Sequence, residues 1–431
     1  MRHLAEILTI ALAAIAVPGF VFSATVGEPG PELWVDGPAD MRVGITPLAP
    51  DASADHRGRQ IYVWEDNPSA DDESGLDVFL RVLDQNGISL VGPVKVNTQD
   101  ADNQRFPRVA VGPGGAFLVI WQSYEPVSPG VFYSNIRSQA FDSDGQPVGS
   151  EQLLNTVETD LQTEAHANVA ALAGGGYVAV WESWNSANAM DTSYSIQGRL
   201  ISANGLPAGS QFQVNSLMTG SLEQFPSVAG LADGGFLATW STPQIQGRRF
   251  MANGTPVGSD FQVNTFTGVT FRDQPDVAVN VDGRILVVWR DDEEPGNSTE
   301  IRGRMYSATL SPLGPDFRIN TFETDVQTVP QAAGFGVNGF FVAWQSAGSI
   351  GPDAEPASIE GRIVVGPDEF TSPQFLVNSY TLNSQESPGI GGRDGFVAVA
   401  WMSRQNAEVM GQVILAQLWK ICGIFCDGFE S

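Results

Sequence analysis

An apolar run ending in tryptophan recurs along the chain. The tryptophans are Trp64, Trp121, Trp181, Trp240, Trp289, Trp344 and Trp401, spaced 57, 60, 59, 49, 55 and 57 residues apart. A steady period of this length marks a repeat architecture. The runs have lost the polar alternation of a half-solvated strand, which predicts strands covered on both faces. Before each run lies a short segment of small residues, as at 109–111, 169–171, 228–230 and 277–279, followed by a turn that is usually Gly-rich. Small residues there predict a first strand in a crowded place. After each tryptophan comes a longer polar loop. A third strand is predicted at 196–201, 245–250, 301–306 and 359–364, sharing the pattern I-x-G-R. Hairpin turns with Asp-Gly or Asn-Gly steps, such as 142–145 and 202–205, lead into a fourth strand. That strand ends in an apolar residue followed by Asn97, Asn155, Asn215, Asn264, Asn320 or Asn378.

Four antiparallel strands at this period are one β-propeller blade. The expected fold is therefore all-β, a seven-bladed propeller of four-stranded antiparallel blades over residues 31–417. There are seven tryptophan markers but six asparagine markers. Leu33-Trp34-Val35-Asp36 resembles a fourth strand, and the last unit stops after its third, at 409–416. Residues 31–36 are thus expected to complete the last blade and close the ring, which removes exposed sheet edges. An open solenoid is the alternative and needs no split repeat.

Composition narrows the partners. The 431 residues suit one large repeat domain, because repeat folds outgrow the usual single core. The net charge is −27, and Lys95 and Lys420 are the only lysines. Such a chain repels nucleic acid and anionic lipid, leaving cations, neutral glycans or basic proteins as partners. Residues 1–23 read as a secretory signal peptide, with an apolar stretch at 7–17 too short to span a bilayer. No other segment reads as a membrane span, so a secreted protein is expected. Cys422 and Cys426 lie in a C-terminal tail, 418–431, and an oxidising compartment favours a disulfide between them. So small a loop adds little stability.

The pattern I-x-G-R…G-x-P-V-G-x-x-F-x-V-N, then Q-x-x-P and G-G-F-x-x-x-W, stands most clearly at 196–240 and 245–289. It resembles the repeats of secreted bacterial seven-bladed β-propeller proteins, including segments of large calcium-dependent surface proteins. The resemblance implies a fold and transfers no catalytic residue.

Loops after strands two and four emerge on one face of a blade, and here they are long: 66–75, 123–135, 183–195, 291–300 and 346–358. Binding residues concentrate on such loops, so this is the expected working face. Trp184, Tyr124 and Tyr133 are candidates to stack on a ligand. Gln104, Gln327 and Gln385 recur before the first strand and are candidates for sugar hydroxyls at the channel mouth, or for hydrogen bonds between blades. Asp71, Asp72, Asp291, Asp292 and Glu293 are carboxylates of the kind that bind Ca²⁺, though no complete calcium loop is present. Arg81, Arg199, Arg248, Arg304 and Arg362 recur at one third-strand position, which favours a packing role over a cation ring.

Catalytic signals are sparse. Outside the signal only His56 and His166 occur, with no nucleophile elbow, and no carboxylate pair stands out for glycoside hydrolysis. The expected function is a secreted, monomeric, non-catalytic propeller that binds an extracellular glycan or protein on the long-loop face. The alternatives are a glycan-active enzyme with a carboxylate pair at the channel mouth, and a structural spacer in a surface assembly.

Overall fold

The computed structural model describes residues 29–36, 48–67, 75–99, 103–128, 131–156, 163–184, 194–216, 222–265, 271–292, 298–322, 325–336, 339–348, 357–367, 369–370, 372–404 and 412–421. The signal at 1–23, Asp71, Asp72, Glu293, Cys422 and Cys426 lie outside them. Among the described residues every regular element is a strand, and no helix is long and apolar enough to cross a membrane.

The described strands form antiparallel sheets, most of four strands, one of five and one of eight that divides into two units. The first strand of each unit is innermost: Leu48–Ala54, Gln104–Val111, Thr163–Ala171, Gln224–Gly230, Phe271–Val279, Gln327–Phe335 and Gln385–Arg393. This is the architecture of a β-propeller. Units two and three join through one parallel bridge between Thr163 and Ser134. The inner strands pack side by side in chain order, and Leu48–Ala54 packs in turn on Gln385–Arg393.

The apolar runs sit between sheets. All seven marker tryptophans are buried. Each apolar cluster joins two units. One holds Ile61, Val63 and Leu80 of unit one with Val119, Trp121 and Phe141 of unit two. Another holds Ala398, Ala400 and Ile414 of unit seven with Ala52, Tyr62 and Trp64 of unit one.

The markers are joints between strands and units. Asn97, Asn155, Asn215, Asn264, Asn320 and Asn378 each accept the backbone N–H that opens their own third strand, at 2.7–2.9 Å. The recurrent arginines reach to the previous unit. Arg199, Arg248, Arg304 and Arg362 donate to the carbonyls of Leu154, Val214, Val263 and Ile319, the residues just before the asparagines. Arg81 of unit one donates in the same way to Val35 at 2.8 Å.

Leu33–Trp34 pairs antiparallel with Val413–Lys420, Leu33 opposite Ala416 and Trp34 opposite Leu415. Val35 N–H donates to Ile414 O, and the Asp36 carboxylate takes a backbone hydrogen bond from Ile414. Asp36 thus stands where other units have asparagine. The expected boundaries at 416 and 417 need correction: the strand continues to Lys420. Trp419 anchors it, with its ring 5.3 Å from Phe341 and 5.1 Å from Phe375.

Candidate functional site

The start of every inner strand carries the same irregularity. Its pairing with the second strand breaks register by two residues, as between Arg105 and Arg108 or Ala165 and Asn168. The skipped pair is a left-handed residue followed by proline in six units and by Ala167 in unit three. The left-handed residues are Ala49, Phe106, His166, Phe225, Gln274, Val329 and Ser387, with φ of 46–55°. Non-glycine residues resist this conformation by about 1–2 kcal/mol each. Its recurrence in all seven units makes it architecture.

Side chains of the unit before help to hold the bulge. Glu65, Glu182 and Gln345, each following a marker tryptophan, accept the N–H of Phe106, Phe225 and Ser387 at 2.7, 2.5 and 3.0 Å. Gln274 accepts that of Val329 at 2.9 Å. The left-handed residues are all at least partly exposed, on the long-loop side of the axis. They form a rim whose backbone repeats and whose side chains do not.

Three consecutive rim positions are aromatic. The Arg105 guanidinium lies 4.7 Å from the Phe106 ring centre and pairs with Glu65 at 3.1 Å. The His166 ring lies 4.8 Å from Phe225. His166 Nδ1 donates to Glu182 Oε1 at 2.9 Å; the histidine is 46% exposed while the glutamate is buried. Tyr124 joins this group. Its hydroxyl accepts from Gln122 at 3.2 Å, and burial pushes the phenol up, with Arg105 opposing.

One step deeper is a second layer: Asp51, Arg108, Asn168, Ser227, Asp276, Gln331 and Gly389. Asp51, Ser227 and Asp276 each accept a backbone N–H of the next unit, from Val109, Val277 and Ala332. Burial pushes Asp51 up to about 6, opposed by Arg108. Burial also pushes Asp276 up, and Arg108 opposes that shift too. Arg108 is on unit two and Asp276 on unit five, both on inner strands. Beneath them the axis holds a cavity of about 460 Å³, lined by inner-strand ends such as Ala54, Val111, Ala171, Gly230, Val279 and Gly334.

The sequence-chosen residues divide. Tyr124 sits beside the rim. Trp184 is exposed at the end of a second strand, opposite Thr163 and Tyr194. Tyr133 instead donates to Glu125 at 2.7 Å within unit two, in a cluster with Asn135 and Arg137. Gln104, Gln327 and Gln385 do not face a mouth, a correction to their candidacy. They are buried, and each accepts from the indole N–H of its unit's tryptophan, Trp121, Trp344 or Trp401, at 2.8–3.1 Å. Asp291 is likewise no loop carboxylate. It is buried, pairs with buried Arg272 at 2.8 Å and accepts from Trp289. Asp292 is partly buried beside it; burial pushes Asp273 up, opposed by Arg290, which holds it at 2.6 Å, with Asp292 adding to the rise. Among the described residues no cluster of three or more His, Cys, Asp or Glu forms a metal site. Sequence reading missed His166, Phe106 and Phe225. The signal was the variable residue before the recurrent proline, as in Phe106-Pro107 and Phe225-Pro226; His166 precedes Ala167 and carried none.

No family model matches the chain, and no curated protein matches it. Solved structures share its fold at low identity. A polysaccharide lyase described as an ulvan lyase is 10% identical with a TM-score of 0.56, over 89% of this chain and 95% of that one. The α-L-arabinanase of Penicillium chrysogenum complexed with arabinobiose is 13% identical with a TM-score of 0.50, over 80% and 99%. A protein of unknown function from Dyadobacter fermentans is 10% identical with a TM-score of 0.52, over 91% and 98%. At such identities the likeness is one of fold.

Proposed function

We propose that the chain is a secreted, closed seven-bladed propeller that binds a glycan at the long-loop mouth of its axis. The observation that carries the reading is the aromatic arc Phe106–His166–Phe225, set on a repeated backbone with side chains that do not repeat. Rings that are partly exposed on a rigid rim suit the apolar faces of sugars. Two fold neighbours, a polysaccharide lyase and an arabinanase complexed with arabinobiose, support a glycan ligand. Ring closure is supported by Leu33–Trp34 in the last sheet, by Arg81 on Val35, and by the packing of unit seven on unit one. The repeat supports a likeness to the secreted bacterial propellers that it resembles. A polysaccharide screen with and without Ca²⁺ tests the reading. Retention of at least one glycan, weakened by Tyr124→Ala or Phe225→Ala in folded protein, is the expected result. No retention under either condition contradicts it.

One arrangement favours a second reading, cleavage of the bound glycan. His166 is oriented by a buried carboxylate, as a general base is, and burial pushes the Asp51 carboxyl on an inner strand up to about 6. Release of new reducing ends or unsaturated ends from a retained polysaccharide, lost in His166→Ala, supports this reading. Intact polysaccharide after prolonged incubation contradicts it.

A further inference from the structure

Among the described residues, three arginines around the mouth are already paired with carboxylates. Arg105 pairs with Glu65 at 3.1 Å, Arg290 with Asp273 at 2.6 Å and Arg404 with Glu386 at 3.0 Å. Arg108, one layer down, donates to the Pro107 carbonyl at 3.1 Å. Glu65 is fully buried. A sugar carboxylate or sulfate could recruit Arg105 only by stranding that buried carboxylate, which is costly. It would also approach a chain of net charge −27. Phe106, His166 and Phe225 ask for no such exchange. Their rings sit at one repeated position on three consecutive units, so successive sugars of one chain can meet them in turn.

We infer that the mouth takes an uncharged oligosaccharide, laid along the Phe106–His166–Phe225 arc, and excludes acidic polysaccharides. This inference rests on the glycan reading above. It sets the chain apart from the neighbour described as an ulvan lyase.

Calorimetric titration of the full chain with two panels of matched length tests this. One panel is neutral (arabinan, xylan, glucan, mannan and galactan oligosaccharides); the other is acidic (oligogalacturonate, alginate and ulvan oligosaccharides). The inference expects a neutral ligand to bind, with affinity unchanged between about 50 mM and about 500 mM salt. Phe106→Ala and Phe225→Ala, each melting like wild type, weaken it about tenfold or more. Tighter binding of any acidic ligand overturns the inference and leaves the glycan reading standing. So does neutral binding that both variants retain in full. Binding by neither panel overturns both.

Discussion

At the residue scale, recurrence and function point in opposite directions. Gln104, Gln327 and Gln385 drew attention because they repeat, and they repeat because each satisfies a buried indole N–H. Gln104→Leu leaves Trp121 Nε1–H unpaired and should cost about 1–3 kcal/mol in chemical denaturation, with ligand binding unchanged. Asp36 makes the complementary case. It occupies an asparagine position, and burial together with Asp66 pushes its carboxyl up to about 7. The folded chain therefore holds this proton more tightly than the unfolded chain does. The resulting stability is present below about pH 4, is lost as pH rises to about 7, and changes no further above that. Asp36→Asn should remove this slope and raise stability at pH 8 by about 1–3 kcal/mol, the upper part of the full shift being discounted for a partly exposed site. Melting curves of both proteins at pH 5 and pH 8 check it. An equal gain at both values contradicts the assignment.

At the element scale, the strands were legible because sheets buried on both faces force continuous apolar runs, and those runs ended at a visible tryptophan. The split last unit was legible as well, since Val35-Asp36 kept the form of the apolar-Asn marker. The end of that unit was not. Trp419 carries no repeat signature, and its place against Phe341 and Phe375 comes from packing between sheets. The rim was hidden for a related reason. A two-residue register break turns the residue before the recurrent proline outward (before Ala167 in unit three), and its identity changes from Phe106 to His166 to Gln274, so the position reads as noise along the chain. Unit seven meets unit one through glycine backbone: a Cβ on Gly389 would lie 2.5 Å from Pro50 O and 2.6 Å from Asp51 Cα. Neither backbone atom can step aside cheaply. Gly389→Ala should lower stability by about 1–3 kcal/mol, read from the denaturation midpoint. A neutral effect would mean that these two strands are further apart than described.

At the scale of the whole molecule, the fold makes two different ends of one axis. The turn end opens onto a cavity lined by small apolar residues and backbone. The long-loop end presents aromatic and charged groups over a polar layer. A symmetric scaffold supplies both, and the asymmetry that recognition needs resides in a few side chains at repeated rim positions. The most direct measurement is amide hydrogen exchange of the full chain with and without a bound neutral oligosaccharide. The account predicts new protection in 104–108, 122–124, 163–168 and 223–227, with the turns at 112–115, 142–146, 173–176 and 202–205 unchanged. Protection confined to those turns, or to the outer fourth strands, would contradict it.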